Sequence, residues 1–310
     1  MPEPKPILLA GPTASGKSAL ALALARRLGG AVINADSQQV YREWRILTAR
    51  PPPGEEAAVP HFLYGHVALE ADYSAGAWLA DAARALATCR ARSLRPVIAG
   101  GTGLYFRALT GGLAPIPPVP RAIRARAEAE LARIGADAML RRLAARDPDT
   151  AASIDRANPA RILRAWEVLE ASGTGLAAWH RRTARPLLPP GAAVALALTP
   201  PRDLLYARCD ARLEAMLEAG VLDEVARVMA LGLAPALPGL KAVGAAELMA
   251  HLRGEITRDE ALARARTATR HYARRQLTWI RNQMPGWARL ESADAAQNLA
   301  RALALIEKAG

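Results

Sequence analysis

An α/β protein with a parallel sheet and a helical segment inserted into it is what this sequence predicts, and three observations carry the prediction. Short apolar runs ended by glycine or proline alternate with longer helical patterns, the layout that parallel strands and crossover helices require. The first of these runs leads directly into a glycine-rich loop that opens a helix. Between the third run and the fourth, the texture changes to charged helical stretches bounded by prolines.

The elements follow in order. Ile7 to Ala10 is apolar and stops at Gly11-Pro12, which predicts a buried strand. Ala19 to Leu28 has helical spacing and stops at Gly29-Gly30, a common helix end. Ala31 to Ala35 predicts a second strand, Pro96 to Ala99 a third that runs into Gly100-Gly101, and Val194 to Thr199 a fourth. Leu113 to Pro120 is proline-rich and predicts a hinge, followed by helical stretches over Arg121 to Arg146 and Pro148 to Ser172. Leu187 to Gly191 closes that segment, and the pattern from Asp203 onward is helical again. The expected organisation is therefore a core of residues 1–114 and 191–310 carrying an insertion of residues 115–190.

Composition narrows the function classes. The 310 residues are 51% apolar, enough for a sizeable core. The formal net charge is +12, and lysine occurs only at positions 5, 17, 241 and 308, so arginine supplies most of the positive charge. Guanidinium forks match phosphate oxygens bidentately, and such an excess of base points to an acidic partner such as nucleic acid. Cys89 and Cys209 are the two cysteines and lack metal-ligand spacing, as expected of buried small residues in a reducing compartment. No apolar run reaches the length of a membrane span, and no charged leader with an apolar stretch opens the chain. The expectation is a cytoplasmic protein with no membrane partner.

Gly11-Pro12-Thr13-Ala14-Ser15-Gly16-Lys17-Ser18 fits G-x-x-x-x-G-K-S/T between a strand and a helix, the context a phosphate-binding loop requires. Backbone N–H groups and the helix N-terminus would surround phosphate oxygens. Lys17 would neutralise the terminal phosphate, and Ser18 would hold Mg²⁺. The motif says di- or triphosphate, ATP included, without choosing between them. Neither the Ala31–Ala35 strand nor the Pro96–Ala99 strand leads into the Asp-x-x-Gly turn of a GTPase. Gly100-Gly101-Thr102-Gly103-Leu104-Tyr105 reads either as backbone brought close to a ligand, with Thr102 offering a hydroxyl, or as a turn alone. Asp36 stands at the carboxyl end of the second strand, where ligands of open α/β sheets sit. It could hold Mg²⁺ through water, act as a general base, or cap the next turn. Arg266, Arg270, Arg274 and Arg281 form one helical stripe, and Tyr272, Gln276 and Trp279 another. Like charges four residues apart are mutually unfavourable; an acidic polymer would offset them, as would carboxylates elsewhere in the fold.

Taken together, these segments resemble the tRNA dimethylallyltransferase family. Beyond the phosphate loop, Asp36-Ser37-x-Gln39-x-Tyr41, Asp72-Tyr73-Ser74-Ala75, Gly100 to Tyr105 and Asp147-Pro148 match the family in order. So do Arg161-Ile162-x-Arg164-Ala165-x-Glu167-Val168, Met216-Leu217-x-x-Gly220-x-x-Asp223-Glu224-Val225 and Arg275-Gln276-x-Thr278-Trp279-x-Arg281. The chain departs from the family pattern at Phe62, Ala245 and Asp155-Arg156-Ala157-Asn158.

The resemblance implies a P-loop kinase-like core whose phosphate loop holds dimethylallyl diphosphate rather than ATP, with Mg²⁺ as cofactor. It implies transfer of the dimethylallyl group to N6 of the adenosine on the 3′ side of the anticodon. Asp36 would take the N6 proton, and Thr102 and Arg124 would line the channel where adenine and diphosphate meet. Asp36, Ser37, Gln38 and Gln39, and Ala160, Arg161, Ile162, Leu163 and Arg164 of the insertion, would touch the anticodon stem-loop. Arg270, Arg274 and Arg281 are expected on its phosphates, and the protein is expected to act as a monomer. The competing classes are a metabolite kinase, a nucleic-acid-bound NTPase switch and a prenyltransferase of free adenine nucleotides. A metabolite kinase does not need the basic helix and the insertion. An NTPase switch would normally want an Asp for Mg²⁺ after a strand and a water-positioning group, and a prenyltransferase of free nucleotides does not need the arginine-rich surface.

Overall fold

The structure, a computed structural model, describes residues 4–182 and 184–309. Chain order begins β1 (Ile7–Ala10), α1 (Lys17–Arg27), β2 (Gly30–Asn34), α2 (Pro53–Ala58), β3 (His61–Phe62), α3 (Ala75–Ala91), β4 (Arg95–Gly100) and α4 (Gly103–Gly111). Five helices follow: α5 (Arg121–Ile134), α6 (Ala136–Arg146), α7 (Pro148–Ser153), α8 (Pro159–Ser172) and α9 (Leu176–His180). The remainder is β5 (Val194–Leu198), α10 (Arg202–Glu218), α11 (Val221–Ala230), α12 (Ala245–Leu252), α13 (Arg258–Gln283), β6 (Ala288–Leu290) and α14 (Ala295–Ala309).

Among the described residues six strands form one parallel sheet in the order β3-β2-β4-β1-β5-β6. Both faces of its centre are buried, which is why β1 is apolar at every position. Ile7 and Leu9 pack on one side with Leu20, Leu24 and Ile306, while Leu8 and Ala10 pack on the other with Trp78, Phe106 and Ile280. The four expected strands all form, each within a residue of its expected bounds. The edge strands β3 and β6 are two and three residues long, and an apolar run that short carries no period.

The chain divides into two compact units, residues 1–110 with 188–310, and residues 111–187. The first holds the sheet. The second is helical, with a core of Leu143, Ala165, Val168, Leu169 and Leu176 flanked by Trp166 and Trp179. Its expected two helical stretches are four helices: Gly135, at φ 78°, ends α5, and the residues between Ser153 and Pro159 separate α7 from α8. Both chain passages between the units are paired. Leu188 N–H donates to the Leu109 carbonyl, and Ala184 N–H to the Leu113 carbonyl, each at 3.0 Å.

Candidate functional site

The phosphate loop, the Asp36 loop and the Thr102 loop leave the carboxyl ends of β1, β2 and β4, which lie side by side in the sheet. Hydrogen bonds tie them at the root. Gly11 N–H donates to Gly100 C=O at 3.2 Å, Ala35 N–H to Ala99 C=O at 2.8 Å and Thr102 N–H to Ala35 C=O at 3.1 Å. Because β4 lies between β1 and β2, the chain reverses direction across the sheet here, and the crevice at such a reversal is where ligands of α/β sheets bind.

The residues of Gly11-Pro12-Thr13-Ala14-Ser15-Gly16-Lys17-Ser18 curl as a phosphate loop does. Gly16 precedes α1 at φ 91°, a conformation that suits glycine. No side chain caps the first turn of α1, so its N–H groups face outward for an anion. Lys17 Nζ donates to the Pro12 carbonyl at 3.3 Å. Burial lowers its affinity for a proton below that of an ordinary lysine, and the nearby Asp36 charge opposes the shift.

Asp36 is buried, and it both shapes a turn and faces a cavity. Its Oδ1 accepts from Gln38 N–H at 3.0 Å, and its own N–H donates to Asn34 Oδ1 at 2.8 Å. Thr13, Asp36, Gln38, Cys209, Arg212 and Tyr272 line one cavity. The phosphate loop and the carboxylate thus open on the same space. Arg212, one arginine among many in the sequence, carried no signal of its own. Burial lowers its pKa, while the neighbouring Cys209, Asp36 and Tyr272 groups favour its charge. It has no carboxylate partner among the described residues. Burial raises the Tyr272 pKa above the ordinary tyrosine value, and the Asp36 charge adds to the rise. Burial pushes the Cys89 thiol up to about 11 and raises Cys209 as well, which disfavours the thiolate of both.

Several expected contact residues are engaged inside the fold. The Thr102 hydroxyl accepts from Ser37 N–H at 2.8 Å and donates to the Ser37 hydroxyl at 3.1 Å, so it braces the Asp36 loop rather than standing free. Gln39 is buried and donates to the carbonyls of Thr48 and Ala49. Gln38 Oε1 accepts from Val243 N–H at 3.2 Å. The glycines of the Thr102 loop do admit a close approach, but by protein. A Cβ on Gly101 would lie 2.1 Å from Gln276 Nε2, and one on Gly103 2.1 Å from the Trp279 indole nitrogen.

On α13, the stripe of Tyr272, Gln276 and Trp279 reaches the site, while the arginine stripe divides. Arg266 pairs with Glu214, and Arg270 binds both oxygens of Asp210, with Nε at 3.0 Å. Arg270, expected on a phosphate, is thus already paired with a carboxylate in the fold. Arg274 and Arg281 have no carboxylate partner among the described residues. They line a basin of about 470 Å³ with Arg202, Tyr206 and Arg289, where Glu291 is the one acid among the described lining residues.

In the helical unit, Ala160, Arg161 and Arg164 are exposed at the start of α8 and Leu163 is half-buried. Ile162 is fully buried, so its side chain cannot serve as the expected surface contact. Glu167, itself buried, lies 3.3 Å from Arg164 and 3.9 Å from Arg124.

Two family models match this chain. The one described as IPP transferase covers residues 39–283, and the one described as isopentenyl transferase covers residues 5–59. The chain belongs to the IPP transferase family. A relative from Nitrobacter hamburgensis named tRNA dimethylallyltransferase is 54% identical over 93% of this chain and 92% of its own length. One of the same name from Cereibacter sphaeroides is 55% identical over 93% and 96%. Among solved structures, the full-length tRNA isopentenylpyrophosphate transferase of Bacillus halodurans aligns with a TM-score of 0.70 and 29% identity, covering 98% of this chain and 97% of that one. A eukaryotic dimethylallyltransferase acting on tRNA aligns with a TM-score of 0.78 and 25% identity, covering 95% and 75%. The family's sheet flanked by helices, with a phosphate loop at its centre, is the fold described above.

Proposed function

We propose that this chain transfers a dimethylallyl group from dimethylallyl diphosphate to N6 of the adenosine on the 3′ side of the anticodon in tRNA, releasing diphosphate. Family membership supports a tRNA-modifying prenyltransferase. The observation that carries the finer reading is the shared cavity: Thr13 of the phosphate loop, the Asp36 carboxylate and the Arg212 guanidinium all line it.

The chemistry follows from those groups. The allylic C1–O bond breaks and its electron pair stays on the diphosphate, whose charge is stabilised by Lys17, the uncapped N–H groups that open α1, and Arg212. The N6 lone pair forms the new C–N bond at C1, and the N6 proton passes to Asp36. The target base must leave the stack to reach the cavity.

Mg²⁺ fits this site as an ion held chiefly by the substrate. The Ser18 hydroxyl has no hydrogen-bond partner among the described residues, and no cluster of three His, Cys, Asp or Glu among them would hold an ion unaided. With Ser18 and the diphosphate as ligands, Mg²⁺ would supply further charge neutralisation for the leaving group.

The tRNA phosphates have a matching surface in the Arg202, Arg274, Arg281 and Arg289 basin, and Ala160, Arg161, Leu163 and Arg164 offer another in the helical unit, beside Arg124. A single copy contains all these groups, in keeping with action as a monomer. No described helix is long and apolar enough to cross a membrane. Incubating the protein with tRNA, dimethylallyl diphosphate and Mg²⁺ should add one C5H8 unit to an adenosine beside the anticodon, read by nucleoside mass analysis. ATP hydrolysis stimulated by tRNA, without that mass gain, would overturn the reading.

A further inference from the structure

Gln276 joins two loops that the transfer must hold in register. Its Oε1 accepts from Thr13 N–H at 2.8 Å, and its Nε2 donates to the Gly101 carbonyl at 3.0 Å. One partner is a donor and the other an acceptor, so a flipped amide would lose both bonds. The side chain is buried, where such a pair is costly to break.

The two anchor points bear on opposite sides of the reaction. Thr13 is the phosphate-loop residue that lines the Asp36 cavity. Gly101 immediately precedes Thr102, whose hydroxyl holds Ser37 next to Asp36. A Cβ built on Gly101 would lie 2.1 Å from Gln276 Nε2 and 3.2 Å from Asp36 Oδ2, so amide and carboxylate converge on one point of that loop. The bridge also settles where the Thr13 N–H points. Aimed into the cavity, its dipole would oppose positive charge developing on the allylic carbon; bonded to Gln276, it is turned into the protein.

We propose that Gln276 is a positioning residue that fixes the donor carbon against the acceptor amine, so that the allylic cation is captured by N6 and not by water. The inference rests on the transfer reaction proposed above. When the C1–O bond breaks and the pair leaves with diphosphate, a misaligned N6 leaves C1 open to water. A water oxygen then gives its pair to C1, loses a proton to solvent, and the product is dimethylallyl alcohol.

Gln276→Met keeps the length of the side chain and removes both hydrogen bonds. Gln276→Asn keeps the amide but is one methylene too short to reach both partners. Single-turnover reactions with tRNA, dimethylallyl diphosphate and Mg²⁺ give modified adenosine and dimethylallyl alcohol from one sample, with pyrophosphate binding and melting measured beside them.

The expected result in either variant is transfer slowed about 10–10²-fold, the scale of a small misplacement of reacting groups. A rise in the ratio of alcohol to modified tRNA should accompany it, while pyrophosphate affinity stays close to wild type. A merely structural role would lower the folded fraction and leave that product ratio unchanged, and if Gln276→Met does not fold, Gln276→Asn decides. An unchanged ratio in a folded variant, with normal transfer by the wild type, overturns the positioning role alone. A wild type that transfers nothing overturns the functional reading and this inference with it.

Discussion

Asp36 separates two demands between its two oxygens. Oδ1 shapes the turn by accepting from Gln38 N–H, while Oδ2 has no hydrogen-bond partner among the described residues. Asp36→Asn should therefore keep the turn and lose the base. We expect kcat to fall about 10²–10⁴-fold, the range for a lost general base, with tRNA affinity and melting nearly unchanged. Single-turnover transfer and a melt on one sample check this, and a destabilised protein with an intact transfer rate would return Asp36 to a capping role. In the proposed mechanism Lys17 is the group that acts on the leaving diphosphate. Lys17→Ala should cost about 10²–10³-fold in kcat, as for one lost electrostatic donor, and a rate near wild type would move the chemistry elsewhere. Its pKa also makes a sign-definite prediction. Burial lowers it from 10.5, whereas bound diphosphate favours the charged amine. Pyrophosphate binding should therefore take up a proton above the lowered value, and affinity should begin to fall with rising pH before 10.5 is reached. Calorimetry in buffers of different ionisation enthalpy reads the uptake, and affinity that holds steady up to 10.5 would contradict it.

At the scale of the element, α13 shows how much the sequence could tell. Its two stripes were legible from helical spacing alone, but their partners were not, because which face of a helix meets the sheet is set by packing from distant parts of the chain. Arginine density suggested that the charged stripe was the functional one. Half of that stripe meets carboxylates of α10, at Glu214 and Asp210, and the less conspicuous Tyr272, Gln276 and Trp279 reach the loops. The strands were readable for the opposite reason: β1, β2, β4 and β5 are buried on both faces and so are apolar but for Asn34 and Arg95 at the ends of β2 and β4, whereas β3 and β6 are too short to carry a pattern. Arg212 could not be singled out, since its distinction is a lack of partner and not a motif. The division of α13 can be measured. Arg274→Ala combined with Arg281→Ala should weaken tRNA binding across sequences and lower the salt slope by roughly 0.7–0.9 per lost phosphate contact. Arg270→Ala should leave the slope alone and lower the melting temperature, because Asp210 loses its partner. A slope that changes with Arg270 and not with the other two would reverse this assignment.

At the scale of the whole molecule, the paired passages at Leu109–Leu188 and Leu113–Ala184 make the helical unit a detour whose two ends meet. Closing a long loop costs little more than closing a short one, so replacing residues 112–186 by a short Gly-Ser linker should leave a core that melts cooperatively and binds pyrophosphate, with weakened tRNA affinity. A shortened chain that no longer melts cooperatively would show that the core depends on the insertion. The contact between Thr13 and Gln276 has a different consequence, one of timing. Its partners are 263 residues apart in the chain, so a ribosome releases the phosphate loop long before it releases the brace. Until α13 is made, the Thr13 N–H has no Gln276 to bond, and nothing ties the phosphate loop to Gly101 through that side chain. The register on which capture by N6 is proposed to depend is in this way completed only after α13 has been synthesised.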